Sequence, residues 1–385
     1  MIKKIYISAG ETSGDIHGGG LARELYRLNP KIEIYGMGGE RMKNAGVNLI
    51  ADCRNYAVMG FFGIIKNIFR FKKLLSTVSD FIIDNKINLV VLIDYSGFNL
   101  RLAKAVKLFG VKVVYFVSPQ VWAWRTRRVK SIKRYVDRMI TIFPFEKDFY
   151  EHYGIDADFV GHPLLDSIPA PTIERKKWKS IRFKAKYKIP DEAPLLSLFP
   201  GSRKQELDRM FITMLRTGAI LQRDIPNLQI LVALAPGMDI TKFKNTPELL
   251  SINPLILFND AYDILEVADA VLVSSGTTTI EAGLFGVPQV VMYKTNTLTY
   301  HIARMLVKVK HIAMVNLILG ERIIPEFIQN NAQPENLGKE LLCLLTDDKS
   351  KTKAMEIAVK LRQVMGNKGA YGRAAEIVLR QGSPN

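Results

Sequence analysis

The chain has 385 residues, a length that at roughly 150 residues per domain allows two domains, each able to bury its own core. Hydrophobic residues make up 48% and charged residues 24% of it, which excludes a disordered chain, a collagenous repeat and a multi-span membrane protein. The net charge of +17 is concentrated: residues 101–150 hold 12 lysines and arginines against 3 acids, residues 171–190 hold 8 against 1, and residues 59–75 hold 4 against none.

Basic regions of this kind attract a polyanion, whether nucleic acid, an anionic membrane or a phosphorylated substrate. Two cysteines, Cys53 and Cys343, are too few for a disulfide framework or a zinc cluster and suit a reducing compartment. The N-terminus meets a Gly/Ser/Asp turn within ten residues and lacks the apolar stretch of a signal peptide, so a cytoplasmic location is expected.

In chain order, short apolar runs alternate with amphipathic stretches. Lys4–Ser8 reads as a strand and Gly18–Leu28 as a helix; Ile32–Tyr35, Leu89–Ile93, Val111–Val117 and Arg138–Ile142 read as further strands with helical patterns between them. Such alternation predicts a parallel, doubly wound sheet. Residues 163–194 change to a proline-rich, basic composition that reads as a connection between domains. A second β-α series follows, with strands expected at Leu195–Phe199, Gln229–Ala233, Leu255–Phe258, Ala270–Val273 and Gln289–Tyr293, and residues 334–381 are helical by composition. The expected organisation is an α/β domain over 1–170, a second over 171–345 and a helical segment over 346–385, with a ligand cleft between the two domains.

One amphipathic segment stands apart. Residues 59–75 are too short and too charged to span a bilayer. On a helix, Lys66, Arg70 and Lys73 fall on one stripe, and Phe61, Phe62, Ile65 and Phe69 belong to an apolar arc opposite. A core helix with a wet basic stripe would show the same pattern. Because every charge in it is positive, an interfacial helix that holds the protein on a membrane is expected.

Five strand-turn-helix junctions carry the candidate chemistry. In Ser8–Asp15 (SAGETSGD) a glycine turn leads into a helix start, which favours anions, although Ser13 or Asp15 as a plain helix cap gives the same pattern. Asp94 follows the run Leu89–Ile93, where ligands of open α/β sheets bind, and is a candidate general base or equally a helix cap. Ser118–Arg125 (SPQVWAWR) sets Trp122 and Trp124 beside Arg125, Arg127 and Arg128, which suit a phosphate. In Phe199–Glu206 (FPGSRKQE), Gly201, Ser202 and Arg203 converge where a helix should begin, which suits a diphosphate. In Val273–Glu281 (VSSGTTTIE) the hydroxyls and backbone amides of Ser275, Gly276, Thr277 and Thr278 suit the same group, and Glu281 can accept from sugar hydroxyls. Asp156 and Asp158 spell the D-x-D of manganese-dependent sugar transferases, but their surroundings read as a loop, and the five histidines show no metal-ligand spacing, so no metal is expected.

Taken together, Ser8–Asp15, Asp94–Asn99 (DYSGFN), Pro119–Arg125, Gly161–Leu164 (GHPL), Pro200–Arg203 with Glu206, Ser275–Glu281, and Asn316 followed by Pro325–Phe327 (PEF) resemble the lipid-A-disaccharide synthases, in order over about 320 residues. The family's motif usually reads P-S-V-W-A-W-R, so Gln120 is a departure that leaves the tryptophans and arginine intact. The resemblance implies a two-domain GT-B glycosyltransferase that needs no metal or other cofactor and inverts at the anomeric carbon. It would join UDP-2,3-diacylglucosamine to 2,3-diacylglucosamine 1-phosphate (lipid X), on the cytoplasmic leaflet of the inner membrane and as a homodimer. It also implies Asp94 as proton acceptor, with Glu11 and Asp15 as alternatives. Ser13, Asn99, Trp122, Arg125, Glu206, Glu281 and Asn316 would join the glycine-turn residues in holding substrate. A UDP-GlcNAc 2-epimerase or another GT-B transferase would share the C-terminal loops but has no use for the 59–75 segment. A nucleic-acid-binding protein would explain the charge, yet no RRM, KH or helix-turn-helix signature is present.

Overall fold

Runs such as Leu89–Ile93 (LVVLI) and Ala270–Ser274 (AVLVS) carry apolar side chains on both faces, and both are buried throughout, as strands in the middle of a helix-covered parallel sheet must be. The computed structural model describes residues 3–55, 68–124, 126–297, 300, 304 and 309–382. They divide into two units, one of Met1–Asp166 with Met365–Asn385 and one of Ser167–Val364.

In the first unit, β1 (Lys4–Ala9), β2 (Glu33–Gly38), β3 (Asn48–Asp52), β4 (Leu89–Ile93), β5 (Lys112–Phe116), β6 (Arg138–Thr141) and β7 (Ala157–Phe159) form one parallel sheet in the order β3-β2-β1-β4-β5-β6-β7. In the second, β8 (Leu195–Phe199), β9 (Gln229–Leu234), β10 (Leu255–Phe258), β11 (Ala270–Ser274), β12 (Gln289–Tyr293) and β13 (Glu326–Ile328) form another, ordered β10-β9-β8-β11-β12-β13. Both are doubly wound. In each, the chain reverses its direction of travel across the sheet between the first strand and the fourth, β1 against β4 and β8 against β11. Ligands of open α/β sheets bind at the carboxyl ends of strands at such a crossing.

The expected strands are all present. Three more, β3, β7 and β13, are edge strands of five residues or fewer whose patterns are too short to read as a period. Asp156 and Asp158 flank and enter β7 rather than a loop, and both carboxylates meet Arg138, at 3.2 and 2.6 Å. The proline-rich connection contains a helix, Ile173–Tyr187, started by Thr172, whose side chain accepts from the Arg175 amide.

The C-terminal segment is divided between the units instead of forming one element. The helix Asp348–Val364 belongs to the second, where Arg362 donates to the carbonyls of Ile168, Pro169 and Leu284. The helix Ala370–Gln381 returns to the first and packs on the helix Thr12–Leu28. Glycine makes this possible: a β-carbon on Gly20 would stand 2.5 Å from the Tyr371 ring. Arg373 then donates to the Val160 carbonyl, and the His162 amide donates to that of Met365.

Candidate active site

The crossing of the first unit is built from backbone that is both strained and fully hydrogen-bonded. Ile93, the last residue of β4, pairs with Ala9 of β1, so Asp94 emerges beside Gly10. Asp94 and Tyr95 both adopt the left-handed conformation, at φ 43° and 42°, and so does Val117 just past β5, at φ 59°. Each costs on the order of 1–3 kcal/mol and persists only where surrounding contacts over-determine it. Here they do. The Asp94 amide donates to the Val117 carbonyl, and its own carbonyl accepts from Asn99 and Tyr115. Asn99 is fully buried; it also accepts from the Ser8 hydroxyl at 2.7 Å and donates to the Ile93 carbonyl, which ties β1 to β4.

The half-buried Asp94 carboxyl therefore hangs from a fixed frame. Its charge, after burial itself, raises the buried Tyr115 phenol, while Arg128 opposes the shift, so acid and base both act at this point. Arg128 also donates to the Ser96 hydroxyl at the start of the helix Ser96–Lys107. Across the crossing, Glu11 begins the helix Thr12–Leu28, and its charge adds to burial in raising the Tyr95 phenol. The Tyr95 ring fills the space above Gly10, where a β-carbon would stand 2.0 Å from it.

The crossing of the second unit carries donors instead. Val273 of β11 pairs with Phe199 of β8, which brings the Ser274–Thr278 turn beside Pro200–Arg203. Gly201 sits at φ 109° and Gly276 at φ 148°, conformations that only glycine takes up readily. A β-carbon on Gly276 would meet no atom within 4 Å among the described residues, so its backbone is open to a ligand. Gly276 caps the helix Thr277–Leu284, and Arg203 caps Lys204–Asp224; the first amides of each helix lie outside its own ladder. The Glu206 carboxylate folds back onto the amides of Ser202 and Arg203, at 3.1 and 3.2 Å, and holds that turn. The Arg203 side chain is 75% exposed. On the facing turn the Ser275 hydroxyl donates to the Ile312 carbonyl, and Glu281 accepts from Tyr262, its carboxyl raised by burial.

Against known proteins, a family model described as lipid-A-disaccharide synthetase matches residues 5–379. A lipid-A-disaccharide synthase of Geobacter sulfurreducens is 38% identical over 376 residues, 98% of this chain and 96% of that one. The chain belongs to the lipid-A-disaccharide synthase family. It is accordingly a glycosyltransferase of lipid A biosynthesis. Among solved structures, MurG of Acinetobacter baumannii matches with TM-score 0.58 at 15% identity, covering 99% of this chain and all of that one. A UDP-GlcNAc 2-epimerase from Neisseria meningitidis bound to UDP-GlcNAc matches with TM-score 0.61 at 14% identity, covering 98% of each. These likenesses show the GT-B fold.

Within this family member, several expected site residues prove to be committed to the frame. Asp15 is buried and points away from the crossing: its two carboxylate oxygens accept from the amides of Gly39, Arg41 and Met42 at 2.7–3.0 Å. It is a loop anchor, which leaves it no place as proton acceptor. Asn316 is likewise buried, with its amide group spent on Ile324, Glu326 and Ile323. Glu206 and Asn99 act through the backbone they hold. Ser13, Ser202 and Thr277 are exposed, and Thr278 is half-buried. Arg125 lies outside the described residues.

The residues 59–75 split in the same way. Phe61, Phe62, Ile65 and Lys66 lie outside the described residues. The helix Ile68–Asp84 exposes Phe69 (82%), Arg70 and Lys73, but turns Phe71 into the core, 5.4 Å from the Phe98 ring. The apolar arc expected from the helical wheel is thus partly core.

Three buried groups were given no role in the sequence reading. Glu146, in the first turn of the helix Pro144–His152, is buried and accepts from Ser118 and from the Trp122 indole at 3.0 and 3.1 Å. Burial pushes its carboxyl up to about 7. His17 and His162 are lowered by burial to about 4 and about 3, so both are neutral near pH 7. His17 meets the Tyr371 hydroxyl at 3.1 Å. A Pro at the helix start followed by Glu two residues on was the local signal for Glu146; His162 lies in the Gly161–Leu164 segment, and no signal existed for His17.

Proposed function

We propose that the enzyme transfers a 2,3-diacylglucosamine unit from UDP to the 6-hydroxyl of 2,3-diacylglucosamine 1-phosphate, with inversion and without a metal ion. The observation that carries this reading is the unlike chemistry of the two crossings: Asp94 and Glu11 at one, Arg203 and the open helix start at Gly276 at the other. The acceptor oxygen attacks the anomeric carbon as the bond from that carbon to the diphosphate breaks, and the electron pair of that bond leaves with UDP. The hydroxyl proton passes to a carboxylate, for which Asp94 is the choice because its backbone is pinned from three sides. The charge gained by UDP is met by Arg203 and by the amides at Gly276–Thr278. The epimerase of like fold binds UDP-GlcNAc, a nucleotide sugar of the same class. Glu281 and the Ser275 turn then face the nucleotide or its sugar, and Trp122, held by Glu146, serves the acceptor.

In this reading the enzyme works at the cytoplasmic face of the inner membrane, with Phe69, Arg70 and Lys73 belonging to its contact, and pairs into a homodimer, which light scattering at micromolar protein would read as twice 43.5 kDa. Among the described residues no helix is long and apolar enough to cross a membrane. Product analysis with both acylated sugars tests the chemistry: a β-1,6-linked disaccharide phosphate and UDP are expected in equal amounts. A 2-epimerised UDP-sugar, or transfer only to another acceptor, would overturn the proposal.

A further inference from the structure

The helix Ile173–Tyr187 in the second unit carries eight basic residues with Lys188 included, and they divide by face. Arg175 pairs with Glu266, Lys179 with Glu266 and Asp263, Lys176 donates to the Ala268 carbonyl, and Lys184 to that of Asp191. With the buried Phe183, these contacts fasten the helix to its unit. The opposite face breaks the usual rule for a surface helix, because it is not polar. Trp178 is 52% and Ile181 53% exposed, and Ala185 continues their seam at helical spacing. Lys177 and Lys188 flank the seam on one side, Arg182 and Lys186 on the other, and among the described residues none of the four has an ion-pair partner within 4 Å. The Arg182 guanidinium lies 4.6 Å from the centre of the Trp178 ring.

We propose that this outer face docks on an anionic lipid bilayer, with Trp178 and Ile181 entering the headgroup boundary and the four cations meeting lipid phosphates. Charge complementarity selects the occupant. The only acid on the helix is Glu174, in its first turn, so the face repels a basic surface and attracts an anionic one. An apolar seam between two rows of long cationic side chains is the layout of a helix lying in an interface, where the stems snorkel and the heads stay wet. Nucleic acid would use the charges and Trp178 but gains nothing from Ile181. The helix belongs to the second unit and Phe69 to the first, and the inference stands whether or not the proposed reaction is correct.

The test uses the full-length protein and vesicles of phosphatidylcholine with or without phosphatidylglycerol. Lys177→Glu/Arg182→Glu/Lys186→Glu should weaken co-sedimentation with the anionic vesicles at least about tenfold and shrink the preference over neutral ones, with the melting transition and UDP binding as in the parent. Trp178→Phe should bind vesicles nearly as the parent does. The fluorescence it removes should be blue-shifted on vesicles and quenched by brominated acyl chains. Parental binding by the triple variant, or a Trp178 emission that stays water-like and unquenched on bound vesicles, overturns the proposal. So does a triple variant that loses binding to an RNA homopolymer while keeping its vesicle affinity.

Discussion

Asp94 and Ser274 occupy corresponding places in the two units, each the first residue beyond the pair that joins the fourth strand to the first, Ile93 with Ala9 and Val273 with Phe199. Around Asp94 the left-handed positions are taken by Asp, Tyr and Val, and the backbone is saturated by buried partners; around Ser274 they are taken by Gly201 and Gly276, and the backbone is left open at Gly276 while Glu206 occupies the amides after Gly201. The same strand order therefore supports two strategies. In the first unit strain holds side chains in place, and the proposed reading makes their carboxylates the reactive groups. In the proposed reading the second unit donates from backbone at Gly276, where glycine keeps the turn open, and Arg203 adds a charge.

Replacing the aimed side chain should have the largest effect. Asp94→Asn keeps the shape and all three backbone contacts, and turnover should fall by at least about 100-fold with UDP binding unchanged. Stopped assays that show near-parental turnover would pass the proton to Glu11, the other carboxylate at that crossing. Removing the cation of the second unit should cost less. Arg203→Ala takes away a charge-assisted donor worth about 1.5–3 kcal/mol, so calorimetry should show UDP binding weakened by roughly ten- to a hundredfold, with melting unaffected because the side chain is exposed. Parental affinity in that variant would assign the diphosphate to the helix amides alone.

The smallest effect extends the comparison to pH. Burial pushes the Glu146 carboxyl up to about 7 from an ordinary 4.5, so between those pH values the folded state holds a proton that the unfolded chain has lost. Its contribution to stability is full below pH 4.5 and declines as pH rises to 7. Glu146→Gln should remove one proton from the pH dependence of unfolding across that window. An unchanged slope in denaturant titrations would mean that Glu146 stays ionised and holds Trp122 as a carboxylate throughout. Burial also raises the Glu281 carboxyl of the second unit, so its contribution carries the same sign, lost as pH rises.

The sequence by itself determined the two β-α series, the five junctions and the family, because strand cores, glycine turns and helix starts are written in neighbouring residues. Both crossings fall at strand ends where it expected junctions, since a Gly/Ser/Asp turn after an apolar run is a local signal. Which carboxylate stays at the crossing was decided only in three dimensions. Asp15 and Glu11 share one turn, but the Gly39–Met42 amides, 24 residues and more away, capture Asp15 and leave Glu11 at the crossing. Glu146 acquired its role from Ser118 and Trp122, 28 and 24 residues off. The last helix joined the first unit because Gly20 leaves room for a ring 351 positions along the chain, at Tyr371. Each of these outcomes depends on a hydrogen bond or a contact between distant segments, and periodicity along the chain records only which face is apolar, not what will come to cover it.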